Sequence, residues 1–141
     1  MAEEGMRRTK AQLMIVELLR RSEECLTVEQ IHARLRSSGQ KVGLATVYRT
    51  VTKLGSFGEI LRVDAGDGSA RFEAVEAGPD GHHHYLICVK CHRVRKYAQF
   101  SQEELDLMRR TERALARRFK YRITGHRIYF EGVCPECRSV Q

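Results

Sequence analysis

Two cysteine pairs, Cys88-Val89-Lys90-Cys91 and Cys134-Pro135-Glu136-Cys137, constrain this chain more than any other feature. Two residues between cysteines form a tight knuckle that aims both sulfurs at one point. Two knuckles supply the four thiolates of a closed tetrahedral site. The pairs are separated by 42 residues, so a shared ion would tie the end of the chain back onto its middle. A structural Zn2+ held by Cys88, Cys91, Cys134 and Cys137 is expected, and its binding is folding energy. The alternative use, disulfides, suits an oxidising compartment. The opening Met-Ala-Glu-Glu-Gly has no basic start followed by an apolar core, so a reduced, cytoplasmic placement without membrane attachment is expected. A catalytic zinc is disfavoured because four thiolates leave no open position. The deaminase pattern of His-x-Glu with Pro-Cys-x-x-Cys is absent as well, and no enzymatic role is expected.

A length of 141 residues allows one ordinary domain or two small ones. The cluster Ala77-Gly78-Pro79-Asp80-Gly81 predicts a boundary, giving units of 1–77 and 78–141. In the first unit, residues 7–21 carry Leu13, Val16 and Leu19 at helical spacing. Thr27 and Gln30 form a capping-box pattern for a second helix, with Val28, Ile31 and Leu35 facing inward and Gly39 closing it. A third helix over about 44–54 repeats Leu44, Val47, Val51 and Leu54. Strand-like runs at 60–64 and 70–75 flank an Asp67-Gly68 turn. In the second unit, strands are expected at 85–89, 94–97 and 121–130, with a helix of about 102–118 capped by Ser101. The fold class is α+β: a winged helix-turn-helix followed by a small α/β unit with the four-cysteine zinc site.

Net charge is +7, and all of it falls in residues 81–141; residues 1–80 balance 12 basic against 12 acidic side chains. Within the first unit, however, residues 30–58 hold Arg34, Arg36, Lys41, Arg49 and Lys53 with no acid. Thr46, Tyr48, Arg49 and Thr52 avoid the apolar stripe of the third helix. They form either a groove-reading face, where Arg can pair with guanine and Tyr and Thr can reach phosphates, or the solvated side of a helical bundle. The arginines of 109–118 could touch DNA phosphates, but read rather as a solvated face beside the apolar side chains Leu105, Met108, Leu115 and Phe119. In His82-His83-His84, the outer two point the same way along an extended segment, as a chelating pair would; the alternative is a polar loop.

Taken in order, these segments resemble the ferric uptake regulator family of bacterial metal-responsive repressors over about residues 5–138. The resemblance rests on Gly5-Met6-Arg7-Arg8-Thr9, Val28-Glu29-Gln30-Ile31-His32, Gly43-Leu44-Ala45-Thr46-Val47-Tyr48-Arg49-Thr50-Val51, His82 through Cys91, Ile123-Thr124-Gly125-His126 and the last cysteine pair. It implies a homodimer, with the second unit as the dimerisation domain, and repression of genes for metal uptake and homeostasis. The partner is double-stranded DNA with a near-palindromic operator. The resemblance places Tyr48 and Arg49 on DNA and Arg7 on its backbone.

It also implies a second divalent ion, Zn2+, Fe2+ or Mn2+, at His82, His84 and His126 with a carboxylate from the helix. Glu104 is the chosen carboxylate, Glu103 and Glu112 are alternatives, and Arg109 stands at the ungapped family position. A hinge site of the family, built from three histidines, a glutamate and a further acid, corresponds to Cys25, Glu73, His83, Tyr85 and Lys96, with Cys25 and Tyr85 in place of histidines and Lys96 in place of the acid. Of these only Cys25, Glu73 and His83 could hold metal, and Lys96 argues against a cation there. Gln12 and His92 depart from the Arg and Gly common in the family. Alternative readings are a peroxide-sensing regulator and a zinc-stabilised regulator that no longer senses metal at the hinge.

Overall fold

The computed structural model describes residues 7–75 and 83–139. Three helices come first: α1 (Lys10–Arg21), α2 (Val28–Ser37) and α3 (Leu44–Ser56), with a two-residue strand β1 (Glu24–Cys25) between α1 and α2. Capping boxes start the first two helices. Thr9 and Thr27 each accept from the backbone N–H of Gln12 and Gln30, whose side chains accept from the threonine N–H in return. Each such cap is worth about 1 kcal/mol. This explains the departure at Gln12, whose side chain is buried at the helix start. Beyond α2, Gly39 takes φ +85, and Gln40 N–H returns to Leu35 O at 3.0 Å.

The helices share one core of Ile15, Val16, Leu19, Leu26, Val28, Ile31, Leu35, Val47, Val51 and Leu54. Two expected core positions fall outside it. Leu13 is 53% exposed and Leu44 is 44% exposed. The inward stripe of α1 is centred on Gln12, Ile15, Val16 and Leu19, which leaves Leu13 on its flank, and Leu44 lies at the open first turn of α3.

The hairpin β2 (Ile60–Asp64) and β3 (Ala70–Ala74) forms the wing, in register from Ile60↔Ala74 to Asp64↔Ala70. Gly66 and Gly68 take positive φ in its turn, and Arg71 makes paired contacts of 3.0 and 3.2 Å to Asp67.

The later strands β4 (His84–Cys88), β5 (Val94–Tyr97) and β6 (Tyr129–Gly132) join β1 in a sheet ordered β1-β5-β4-β6. Helix α4 (Gln102–Phe119) connects β5 to β6, which runs parallel to β4, and α5 (Pro135–Arg138) follows. The strand expected over 121–130 is corrected: only 129–132 pairs, because α4 ends in a left-handed Lys120 and 121–128 serves as the return connection. β1 was missed, since two residues carry no periodic signal; it pairs Cys25 with Val94. The boundary expected near residue 77 lies outside the described residues.

A second core joins the halves: Cys25 and Val63 pack with Tyr85, Ile87 and Val94. Helix α4 buries none of its residues within the single chain, and Leu107, Leu115, Phe119, Tyr121 and Phe130 stay exposed. Among the described residues, no helix is long and apolar enough to cross a membrane.

Candidate metal centres and nucleic-acid interface

The four paired cysteines converge. Cys88 ends β4, Cys91 follows the turn, Cys134 caps α5 and Cys137 lies one turn into it, with Pro135 fixing the helix start. All four sulfurs lie within 4.8 Å of one another, and the Cys91–Cys134 separation is 3.7 Å. Sulfurs about 2.3 Å from a tetrahedral zinc stand about 3.8 Å apart, so the donor set fits that ion. Backbone N–H groups of Cys134 and Cys91 point at the Cys88 sulfur and hold its pKa down to about 5, while the hydrogen bond to Cys134 and burial push Cys137 up to about 12. Four crowded thiols resist ionising together unless a cation balances them. Between the knuckle and β5, His92 takes φ +62, a conformation in which glycine has no steric cost.

A second cluster lies at the other end of β4, which begins with His84 and ends with Cys88. His84 is 3% exposed, and its Nε2 stands 2.9 Å from Nε2 of His126. Nδ1 of His126 lies 2.5 Å from Glu112 Oε1. Tyr97 and Phe100 pack around the His84 ring. The rings border a cavity of about 150 Å3 that Glu104, Arg109 and Glu112 also line. The carboxylate that reaches a histidine is thus that of Glu112, while Glu104 faces the cavity. His82 lies outside the described residues. Tyr97 and Phe100 carried no metal signal in the sequence, because their part is to pack the ring.

At the hinge, Glu73 on β3 is 1% exposed. Its Oε1 accepts from the Tyr85 hydroxyl; its Oε2 lies 2.6 Å from His83 Nε2 and 3.6 Å from the Cys25 sulfur. Burial opposes ionisation of Glu73, but the hydrogen bonds from His83 and Tyr85 outweigh it and hold the carboxyl below its ordinary pKa. Burial, with Glu73 beside it, pushes the Cys25 thiol well up, so it stays protonated. Among the described residues, only the four paired cysteines bring three or more donor atoms within such mutual reach.

Helix α3 presents Tyr48, Arg49 and Thr52 to solvent, with Thr46 half-buried beside them. Tyr48 is 60% exposed, and Arg49 Nη2 lies 3.4 Å from Thr46 Oγ1. Between α3 and the wing runs a groove of about 510 Å3 bordered by Tyr48, Thr52, Arg62 and Ser69. Arg62 was not singled out from the sequence; it is exposed on β2, on the face opposite the buried Val63 that follows it. Arg7 is exposed ahead of α1 and borders a smaller cavity with Lys53, where Arg8 pairs with Glu59.

Comparison with known proteins follows the same outline. The model of the ferric uptake regulator family matches residues 3–131. The ferric uptake regulation protein of Bacillus subtilis (strain 168) is 32% identical over 122 residues, 86% of this chain and 78% of that protein. Among solved structures, a zinc-bound manganese uptake regulator is 34% identical with a TM-score of 0.68, covering 92% of both chains. The ferric uptake regulator of Vibrio cholerae is 26% identical with a TM-score of 0.73, covering 92% of this chain and 93% of that one.

Proposed function

The chain belongs to the ferric uptake regulator family, and from that membership we propose that it is a homodimeric repressor whose hold on DNA depends on a divalent ion. The observation that carries this reading is the convergence of His84, His126 and Glu112 at a cavity in a chain that also exposes Tyr48 and Arg49 on α3. His84 and His126 bind the ion through Nε2, with His82 and Glu104 completing the set. Glu112 takes the Nδ1–H of His126 and so aims the other ring nitrogen at the ion. An ion of Zn2+, Fe2+ or Mn2+ held by these residues would tie β4 to α4 and the 121–128 segment. The Cys88, Cys91, Cys134 and Cys137 cluster holds a structural Zn2+.

Residues 1–77 bind DNA and 78–141 dimerise. The exposed apolar residues of α4 and β6, Leu107, Leu115, Phe119 and Phe130 among them, support a partner chain on that face. Two recognition helices related by a two-fold axis read a near-palindromic operator. Thr46, Tyr48, Arg49 and Thr52 enter the major groove and Arg7 contacts the backbone. The chain acts in the cytoplasm on genes of metal uptake and homeostasis.

Fluorescence anisotropy of operator DNA from the protein's own promoter, at fixed salt, tests this. Mildly chelated protein is titrated with Zn(II), Mn(II) or Fe(II). At least one metal raises affinity roughly tenfold, about 1.4 kcal/mol of coupling, and Arg49→Ala abolishes specific binding with metal content intact. Wild-type affinity unmoved by every metal refutes the dependence.

A further inference from the structure

The hinge carries a group of interactions that metal sensing leaves unused. Glu73 belongs to the wing, yet its partners come from two other elements: Tyr85 on β4, His83 just ahead of it, and Cys25 on β1. Both carboxylate oxygens are engaged. Lys96, paired across the sheet with Tyr85, adds a positive charge that favours the ionised carboxylate. Tyr85 is itself fixed, stacked on Tyr129 at 4.8 Å and edge-on to His83 at 5.1 Å. Around this cluster the backbone is continuous. Leu26 and Phe72 exchange hydrogen bonds of 3.0 and 2.8 Å, and Lys96 N–H donates to Glu23 O at 2.9 Å.

A cation here would have to displace the contacts that both Glu73 oxygens already make with Tyr85 and His83, and would meet the positive charge of Lys96. The donor set therefore does not fit a bound ion. We propose that the Glu73 cluster is a metal-independent lock: Tyr85, His83 and Lys96 supply the hydrogen bonds and charge that fasten the wing to the four-stranded sheet. The lock is Tyr85's positioning role. It holds the wing, and with it the groove beside α3, in a fixed attitude to the sheet whether or not metal is present. Metal response then resides at the His84–His126 cavity alone, and that last clause rests on the function proposed above.

The test uses the full chain with its cysteine-bound metal retained and needs no DNA. Wild type, Tyr85→Phe and Glu73→Gln are equilibrated with Zn(II) or Mn(II), and metal per protomer is counted by elemental analysis. Hydrogen–deuterium exchange then reads the amides of Phe72 and Lys96 against those of the α1–α3 core. Tyr85→Phe removes only a hydroxyl, so it remains informative if Glu73→Gln fails to fold. Metal content stays equal in all three proteins, and exchange at Phe72 and Lys96 quickens roughly tenfold while the core amides hold, as expected when a buried hydrogen bond is broken and one region opens locally. One ion per protomer lost in Glu73→Gln, or unchanged exchange in Tyr85→Phe, overturns the lock. Because neither readout involves an operator, failure of the repressor reading leaves this test intact.

Discussion

Replacing Glu112 tests how the cavity on α4 is organised. Its Oε1 stands 2.5 Å from His126 Nδ1, and the other ring nitrogen faces His84 at 2.9 Å. For Nε2 to bind an ion, Nδ1 must carry the proton and donate it to Glu112. A carboxylate acceptor makes that bond charge-assisted, at about 1.5–3 kcal/mol net against about 0.5–1.5 for a neutral acceptor. Glu112→Gln keeps an acceptor oxygen and gives up the charge, so it costs about 1–1.5 kcal/mol, or roughly tenfold in affinity. Glu112→Ala leaves the ring unsupported and approaches the hundredfold loss seen when outer partners of metal-binding histidines are removed, about 2.7 kcal/mol. Both side chains are partly open, at 34% for Glu112 and 24% for His126, which favours the lower half of each range. The assay is Zn(II) competition with a chromophoric chelator too weak to strip the cysteine cluster, on protein that keeps that metal. His126→Ala serves as the reference for loss of the site. If Glu112→Gln binds within about twofold of wild type while His126→Ala does not bind, the carboxylate plays no part in aiming the ring.

Two further expectations concern the wing and the dimer. The hydrogen bonds from Arg71, with that of the Ser69 N–H, hold Asp67 down to about 2 from 3.8. A depressed carboxyl contributes stability that is fully present above its unfolded value and is lost as pH falls from about 4 through about 2. Asp67→Asn should therefore flatten the acid limb of the wing's unfolding, read by NMR of Ala70 and Phe72 amides between those limits; an unaltered acid limb refutes the pairing. Phe119→Glu places a charge in the exposed apolar face of α4, where Phe119 is 54% exposed in the single chain. If α4 forms the proposed dimer face, sedimentation should show the variant as monomer at concentrations where wild type associates, and association equal to wild type would remove α4 from the interface.

What the sequence disclosed, and what it hid, divides by the range of the interaction. Signals contained within a few residues were readable: the Thr27–Gln30 box, the stripe of α2 and the two knuckles each depend on spacing along the chain, and the structure forms all three. Leu13 and Leu44 were misplaced because a stripe fixes only a helix's period; which residues lie at its centre depends on the partner helices. β1 was invisible, since its two residues are a strand only by virtue of β5, some seventy positions away. The hinge follows the same division. Reading position by position, Tyr85 and Lys96 register as losses, a ligand replaced by a phenol and an acid by a cation. In three dimensions the phenol donates to Glu73 and the cation lies near enough to favour its charge. A buried carboxylate must be compensated by something, and a metal is only one means. If Glu73 is held as proposed, positions 85 and 96 are coupled through it: a histidine at 85 alone would leave the lysine's charge opposing any ion, so metal binding here would require both positions to change together.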